Sequence, residues 1–282
     1  MGVEIEKSDL MKFRNKLSKA IKTNNSLLCV GLDVDNTRIP PENIFEFNKT
    51  VINSTQQHCS AYKINLSFYE SYGSHGYKAM EKTIEYIRTN APDKLLIADG
   101  KRGDIPSTMI KIGIAHFETW EFDCTTANIW GGFESIEPLL QYPGKGVFIW
   151  AKSSNKGSQD IQDIKSNSNK KNYELIIEQS IKHNLSANIG LVVGATSPND
   201  LSLVRSISDD IPILCPGIGA QSGNLSECLK NGIGNKSSNL LINASRSIIY
   251  AQGAIKNIDN IELAAKDVNS RINSVLKKYK SD

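Results

Sequence analysis

Eight short, strongly apolar segments recur along the chain, separated by polar or amphipathic stretches. Most of these segments are apolar at every position, which is typical of strands buried on both faces of a parallel sheet. A half-exposed strand would instead alternate apolar and polar residues. The recurrence therefore predicts eight buried strands. Their predicted bounds are residues 27–32, 61–65, 94–98, 124–127, 146–151, 189–193, 211–215 and 239–242.

The stretches between these strands show the spacing of amphipathic helices, with apolar residues three or four positions apart. Similar patterns predict an extra helix before the first strand and another after the last. The clearest apolar faces are Phe68, Tyr72, Met80, Ile84 and Ile87 between strands 2 and 3; Leu10, Phe13, Leu17 and Ile21 before strand 1; and Ile261, Ala265, Val268, Ile272 and Val275 after strand 8.

Eight strand–helix alternations with an extra helix at each end predict an α/β fold, the closed (β/α)8 TIM barrel. An open doubly wound sheet is the alternative. The strand count and the absence of a GxGxxG segment after the first strand weigh against that sheet. In this interpretation residues 1–282 form a single domain, with the barrel core at about residues 26–256.

Composition excludes several functional classes. The formal net charge of +3 is too small to indicate nucleic acid or an anionic membrane surface, because both favour clustered positive charge. No apolar run has membrane-spanning length, and the charged N-terminal segment lacks the apolar core of a secretory signal. The five cysteines are scattered, without a CxxC pair or zinc-ligand spacing. Cys29, Cys124 and Cys215 lie in or beside apolar runs, so we expect them to be buried free thiols, which fits a cytoplasmic location.

One segment interrupts the regular alternation. Residues 152–172 are polar and rich in Ser, Asn and Lys, and they lie between strand 5 and the next helix. A flexible surface insertion would have this composition. In a barrel, however, this connection lies on the rim where active sites are built, so the functional interpretation is a lid.

Polar side chains gather at one position of the predicted topology, the carboxyl ends of the strands. Barrel enzymes build their active sites at this end, whereas scattered surface charge would show no such preference. The residues concerned are Asp33, Lys63, Asn65, Asp99, Lys101, Asn128, Lys152, Ser154 and Arg246.

Two of these strand ends carry polar residues two positions apart. Since alternate residues of a strand point to the same side, Lys63 and Asn65 should project together. The same holds for Asp99 and Lys101. Asp104 follows a glycine, which would allow a tight turn back towards the site. The resulting carboxylates and ammonium groups would form an alternating charge network with coupled protonation, although a single DxK pair also occurs as a simple ion pair.

Two further strand ends are suited to binding phosphate. After strand 7 the chain reads PGIGA, where the backbone N–H groups near Gly217 and Gly219 would be accessible to an anion. After strand 8 it reads NASR, in which Ser245 precedes Arg246, whose planar guanidinium matches phosphate oxygens. A GxG turn alone usually has no ligand, so it is the neighbouring arginine that favours a phosphate site.

Taken together, these segments resemble the orotidine 5'-monophosphate decarboxylase family, particularly its longer microbial branch. IADGKRGDIPST resembles the family's DxKxxD signature, which a sister group of sugar-phosphate enzymes shares. The segments GLDVD, AYKINLSFYE, TANIWGG, WAKSSN, VVGAT, PGIGAQSG and NASRSIIYA match in family order and span about residues 27–252. The full set is much more specific than the signature alone.

The resemblance implies a carboxy-lyase that converts orotidine 5'-monophosphate to uridine 5'-monophosphate, the last step of de novo UMP synthesis, without cofactor or metal. It implies a catalytic set of Lys63, Asp99, Lys101 and Asp104, in which Lys101 protonates C6 after carbon dioxide leaves. It also implies a homodimer with shared active sites, in which the partner chain supplies Asp104 and Thr108. The other implied substrate-binding residues are Asp33 and Asn65 on the ribose side, Asn128, Ser154 at the pyrimidine, and Gln221 and Arg246 at the phosphate, beside the backbone of Gly217, Gly219 and Ser245.

Two alternatives remain open from the sequence. A Mg²⁺-dependent sugar-phosphate decarboxylase or aldolase with the same DxKxxD signature would use metal to stabilise an enediolate. The other is a non-catalytic barrel that binds a phosphorylated ligand, although a mere scaffold would gain nothing from so unfavourable a charge cluster. The sequence also leaves open whether the chain associates with orotate phosphoribosyltransferase.

Overall fold

The computed structural model describes residues 12–195, 198–217, 224–234, 239–252 and 258–279. In this part of the chain, eight parallel strands form a closed barrel, in which each strand pairs with the next and the last pairs with the first. The predicted (β/α)8 barrel is thereby confirmed over an open sheet. The strands are β1 (Leu28–Gly31), β2 (Ala61–Asn65), β3 (Leu95–Arg102), β4 (Cys124–Ala127), β5 (Gly146–Lys152), β6 (Ile189–Val193), β7 (Ile213–Pro216) and β8 (Leu240–Ala244).

Helices connect the strands and surround the barrel. The α-helices of the described residues are α1 (Phe13–Asn24), α2 (Ile44–Thr55), α3 (Leu66–Glu70), α4 (Ser74–Asn90), α5 (Pro106–Gly113), α6 (Glu137–Leu140), α7 (Gln159–Gln162), α8 (Asn172–Lys182), α9 (Pro198–Ile207), α10 (Leu225–Gly232), α11 (Arg246–Ile249) and α12 (Asp259–Tyr279). Short 3₁₀ helices lie at Pro41–Asn43, Phe133–Ser135 and Lys156–Ser158, and a π-helical segment, Ile114–Thr119, follows α5 directly.

The predicted elements differ from the observed ones mainly at their ends. Strand β3 continues to Arg102 and β8 to Ala244, so polar residues expected after these strands belong to the strands themselves. The single helical face expected between strands 2 and 3 is divided between α3 and α4, because the chain turns at residues 71–73. Apolar spacing predicts helical conformation but does not show such a turn.

An apolar cluster fills the half of the barrel interior that is nearer the amino ends of the strands, and α1 closes the barrel at that end. Phe13 lies edge-on against Phe148, with the ring centroids 5.7 Å apart. Lys16 forms an ion pair with Asp123, the residue that precedes β4. The cluster consists of Phe13, Leu17, Ala20, Cys29, Ala61, Leu95, Ile97, Cys124, Phe148, Val192, Leu214 and Leu241.

The inward faces become polar towards the carboxyl ends of the strands. Lys63 follows Ala61 and Asp99 follows Ile97 at two-residue spacing, which keeps them on the same side of the strand. Because α1 closes the other end, this mouth is where a ligand can enter the barrel.

A second, larger apolar cluster fills the layer between the strands and the surrounding helices. All five cysteines are free and buried, which confirms the prediction made for Cys29, Cys124 and Cys215. Cys29 and Cys124 lie inside the barrel, and Cys59, Cys215 and Cys228 lie in the outer layer. Among the described residues, no helix combines the length and apolar character needed to cross a membrane.

The polar insertion after β5 is more ordered than its composition predicts. Residues 153–171, here called the rim segment, contain the 3₁₀ helix at Lys156–Ser158, α7 and a backbone bridge between Lys165 and Lys171. A hydrogen bond holds the start of the segment in place, since the N–H of Ser153 donates to Oε1 of Gln162 over 2.9 Å. It therefore has a defined shape beside the barrel mouth.

Candidate active site

A cavity of about 380 Å³ opens at the carboxyl ends of the strands, a volume in the range of small-ligand sites. Most of the residues predicted for the site line this cavity. They are Asp33, Lys63, Asn65, Asp99, Lys101, Ser154, Gly217, Ser245 and Arg246. The other lining residues are Trp150, Lys152, Ser153, Asn155, Val192, Pro216, Asn243 and Ser247.

An alternating row of charges crosses the cavity floor. Nζ of Lys63 lies 3.4 Å from Oδ1 of Asp33 and 2.9 Å from Oδ2 of Asp99. The other oxygen of Asp99, Oδ1, accepts a hydrogen bond from Nζ of Lys101 over 2.7 Å. Asp99 is thus held between two ammonium groups, and each of its oxygens has its own lysine.

Burial and charge together fix the ionisation of this row. Burial alone would raise the pKa of the Asp99 carboxyl, but Lys63 and Lys101 outweigh it and lower that pKa well below its ordinary value. Burial likewise opposes the charge on Lys63, but Asp33 and Asp99 outweigh it and raise the pKa of the ammonium. Both groups are therefore charged at neutral pH. The side chain of Lys101 is the more accessible of the two lysines, 31% exposed against 4% for Lys63.

The backbone between Asp99 and Gly103 departs from the regular strand that the sequence predicts. Lys101 has a φ of 46°, in the left-handed region, whereas the glycines on either side of it do not have a positive φ. Such a φ is uncommon for a residue with a side chain. The turn in this segment is made at the lysine itself.

Gly103 is required for a different reason than the one expected from the sequence. A Cβ atom at Gly103 would lie 2.5 Å from Oδ1 and 2.6 Å from the backbone oxygen of Asn128. Asn128 in turn donates from Nδ2 to the backbone oxygen of Lys101 over 2.8 Å. The glycine therefore allows close approach of a side chain that supports the Lys101 backbone.

From the sequence, Lys152 belongs to the polar residues at strand ends without a specific role, and Asn243 and Thr126 have no assigned role. Lys152 and Asn243 line the cavity, and Thr126, on β4, donates to Oδ1 of Asp99 over 2.8 Å. The sequence alone did not distinguish Thr126 from Thr125, because only the structure shows that Cys124, which shares a face with Thr126, lies in the barrel interior. Asn243 was placed after strand 8 instead of within it.

Asn243 has an unused hydrogen-bonding atom at this end of the barrel. Its Oδ1 is buried and has no hydrogen-bond partner among the described residues, while Nδ2 is 3.4 Å from Oγ of Ser245. Nearby, Gly217 has a φ of 100°, which a residue with a side chain rarely adopts, and the exposed Arg246 begins α11. The predicted phosphate-binding positions Gly219 and Gln221 lie outside the described residues.

The rim segment meets the cavity at its own Ser154 and at Lys152, the last residue of β5. Lys152 is buried at the end of β5, forms an ion pair with Asp163 of the rim segment, and lies 4.6 Å from the centre of the Tyr173 ring. Ser154 lines the cavity beside it. The rim segment is thus connected directly to a residue of the cavity wall.

Three predicted site residues lie outside this cavity. Asp104 is exposed, and its Oδ1 accepts a hydrogen bond from the N–H of Ile105 over 2.6 Å. Thr108 lies on α5, and Asn128 supports Lys101 from the side. Next to Asp104, a mainly apolar groove of about 1130 Å³ runs between Trp130 and the rim segment.

The fold and this site define a class of protein: a (β/α)8-barrel enzyme with a lysine–aspartate–lysine row at the catalytic end of the barrel. Within the described residues, no group of three or more His, Cys, Asp or Glu side chains could hold a metal ion.

Comparison with known proteins specifies the family. A family model described as "Orotidine 5'-phosphate decarboxylase / HUMPS family" matches residues 26–261. An orotidine 5'-phosphate decarboxylase of Thermomicrobium roseum is 40% identical over 275 residues, which are 95% of this chain and 97% of that protein. One from Dehalococcoides mccartyi is 39% identical over 273 residues, 95% of this chain and 100% of that protein.

A solved structure agrees with these sequence matches. The structure of Leishmania donovani OMP decarboxylase gives a TM-score of 0.83 at 33% identity and covers 94% of this chain and 99% of that one. The chain belongs to the orotidine 5'-phosphate decarboxylase / HUMPS family, which confirms the resemblance found in the sequence.

Proposed function

We propose that this chain decarboxylates orotidine 5'-monophosphate to uridine 5'-monophosphate. The observation that carries the proposal is the row Lys63–Asp99–Lys101, held within a cavity of nucleotide-accepting size at the mouth of the barrel. The relatives of similar length named orotidine 5'-phosphate decarboxylase support the same reaction.

Binding of the nucleotide would use the two sides of the cavity differently. Arg246 and the backbone at Gly217 would hold the phosphate, because a guanidinium and exposed N–H groups both favour an anion. Asp33 and Asn65 would contact the ribose, and Ser154 the pyrimidine ring. Binding energy from the phosphate and ribose, remote from the reacting bond, can then orient the ring over Lys101.

The chemical step needs stabilisation of a carbanion that the ring itself does not delocalise. When the bond between C6 and the carboxylate breaks, carbon dioxide leaves and the electron pair stays on C6. The ammonium of Lys101 would stabilise that negative charge and then transfer a proton to C6. Asp99 holds the Lys101 ammonium in place through its hydrogen bond until that transfer, and its own negative charge would face the substrate carboxylate.

Closure of the rim segment would complete the site. The segment already contacts the cavity wall, because its Asp163 pairs with Lys152 of β5 and its Ser154 lines the cavity. Its closure over a bound nucleotide would exclude water and strengthen each electrostatic interaction inside the site.

We also propose that the enzyme is a homodimer with shared active sites. Asp104 lies outside its own chain's cavity, between Ile105, which is 64% exposed, and Gly103, which lines a groove together with the 80% exposed Trp130. Apolar surface of this kind is typical of an interface. A second copy of the chain on this surface would bring Asp104 and Thr108 to the neighbouring cavity. A cytoplasmic location and an association with orotate phosphoribosyltransferase stay predictions.

A spectrophotometric assay with orotidine 5'-monophosphate, run with and without a chelator, tests the proposed reaction. We expect turnover that is unchanged by the chelator. No turnover would contradict the proposal. Chelator-sensitive turnover of a sugar phosphate instead would favour the Mg²⁺-dependent alternative, and nucleotide binding without turnover would favour the non-catalytic barrel.

A further inference from the structure

The pairing of β3 with β4 is irregular at the row formed by Lys63, Asp99 and Lys101, here called the catalytic row. Ala98 pairs with Thr125 and Arg102 pairs with Ala127, so β3 advances four residues while β4 advances two. The extra residues form a bulge that contains Asp99 and Lys101 and lies opposite Thr126. Bulges redirect side chains and leave backbone groups without their ladder partners. Lys101, with its positive φ, is the residue most displaced from strand geometry.

Thr126 fills the gap that the bulge leaves. The backbone N–H of Lys101 donates to Oγ1 of Thr126 over 2.9 Å. The same Oγ1 lies 2.8 Å from Oδ1 of Asp99. Because an N–H can only donate and an ionised carboxylate can only accept, the single hydroxyl proton must point to Asp99.

We propose that Thr126 is a positioning residue for the catalytic row, in which one hydroxyl fixes both the Asp99 carboxylate and the Lys101 backbone. Thr126 is 1% exposed, and it acts through its neighbours instead of touching the substrate. Asp99 Oδ1 accepts from Thr126 and from Nζ of Lys101, so the hydroxyl sets the direction in which the lysine is held. The proposal rests on the proposed decarboxylation, since that reaction needs Lys101 near C6.

The next residue on the strand offers a matched control. Thr125 is also buried, but its Oγ1 lies 2.9 Å from Nδ1 of His116 and donates to the backbone oxygen of Ala98 over 3.2 Å. Thr125 and Thr126 point to opposite sides of β4, as adjacent strand residues do. Replacing either by valine keeps its shape and removes its hydroxyl, but only Thr126→Val acts on the catalytic row.

The kinetic test compares the kcat and KM of Thr126→Val, Thr126→Ser and Thr125→Val with those of the wild type. We expect Thr126→Val to lower kcat about 10- to 100-fold, the range for losing a hydrogen bond to a charged group. KM should change less than about threefold, because the predicted phosphate and ribose contacts lie on other strands. Thr126→Ser should restore kcat, and Thr125→Val should leave it near the wild-type value.

Three outcomes would overturn the proposal: a wild-type kcat in Thr126→Val, no rescue by serine, or an equal loss in Thr125→Val. If the valine variant fails to fold, Thr126→Ala is judged by the same criteria. Crystal structures of wild type and variant provide a readout that needs no activity. The Lys101 φ and its contact with Asp99 should change in the variant, and an unchanged segment would contradict the positioning role. Failure of the proposed reaction would appear separately, as an inactive wild type.

Discussion

Lys101 combines an ion pair, an unusual backbone conformation and the proposed role of proton donor. Its ammonium is paired with Asp99 and yet remains partly accessible from the cavity, unlike Lys63. A proton donor needs both properties: a partner that holds it in place and an open path to the substrate. Lys101, which is both paired and partly exposed, has a left-handed backbone conformation.

Replacing Lys101 by alanine should abolish turnover without abolishing binding. We expect kcat to fall by about a thousandfold or more, within the range attributed to positioned acid catalysts. Binding of uridine 5'-monophosphate should weaken less than about tenfold, since the phosphate and ribose contacts remain. Steady-state kinetics and calorimetric titration measure the two quantities. Lys111→Ala, which removes an exposed lysine on α5, is the matched control. A Lys101→Ala enzyme that kept a tenth of its activity would refute the proton-donor role.

The sequence predicted that Asp99 and Lys101 project together, but it did not predict how the DGKRGD segment is arranged. The two-residue spacing of a strand does bring Asp99 and Lys101 together. It could not show that a bulge intervenes, because a bulge depends on how β3 pairs with β4. Nor could it show that Gly103 makes room for Asn128, since that contact joins two separate strand ends.

At the scale of elements, the π-helical segment Ile114–Thr119 places a histidine behind β4. His116 is buried between Trp120 and Phe122, with ring centroids 6.1 and 6.2 Å away, and Nδ1 lies 2.9 Å from Oγ1 of Thr125. Burial, aided by the positive charge of Arg102, lowers the pKa of His116 to about 4. The folded protein therefore holds this ring neutral over a range in which the unfolded chain would protonate it.

This histidine should make the fold sensitive to mild acid. A group with a lowered pKa contributes its stability above the unfolded value of about 6.5, and loses it as the pH falls towards 4. Between pH 7 and pH 5 we expect the free energy of unfolding to fall by about 2 kcal/mol on account of His116. Urea unfolding of wild type and His116→Gln at both pH values measures the difference. Equal pH dependence in the two proteins would contradict the assignment.

The rim segment shows how composition and structure can differ for one element. Its Ser-, Asn- and Lys-rich sequence predicts an irregular loop, and no apolar periodicity contradicts that. The structure instead holds the segment in place through the ion pair between Lys152 of β5 and Asp163 and through the backbone bridge between Lys165 and Lys171. Those contacts join residues that are not neighbours along the chain, so they become visible only when the chain is folded.

At the scale of the whole molecule, closure of the barrel assembles the site. Asp33 follows β1, Lys63 and Asp99 lie on β2 and β3, and Arg246 follows the last strand, which pairs with the first. In an open doubly wound sheet, β1 would lie near the middle and β8 away from it, so the proposed phosphate site would be separated from the charged row. The closed topology therefore explains how residues over two hundred positions apart line one cavity.

Mixing two inactive variants tests whether two chains share each site. Asp104→Ala and Lys101→Ala should each be inactive alone. In a two-fold symmetric dimer, random exchange gives one complete site in each hybrid, so about a quarter of all sites should recover activity. Subunit exchange is followed by native mass spectrometry of differently tagged chains. As control, Asp104→Ala mixed with the double variant should stay inactive, because neither hybrid site is complete. Exchange without recovery would contradict a shared site.

The sequence by itself determined the strand count, the barrel, and most residues that line the cavity. It could do so because apolar periodicity and the position of polar residues after a strand are local properties, written in consecutive residues. The tertiary structure decided how those residues act on one another: the bulge at Lys101, the hydroxyl of Thr126 beneath it, and the position of Asp104 outside its own cavity. These features depend on pairing and packing between elements that are distant along the chain, where a shift of one residue changes which side chain faces the site.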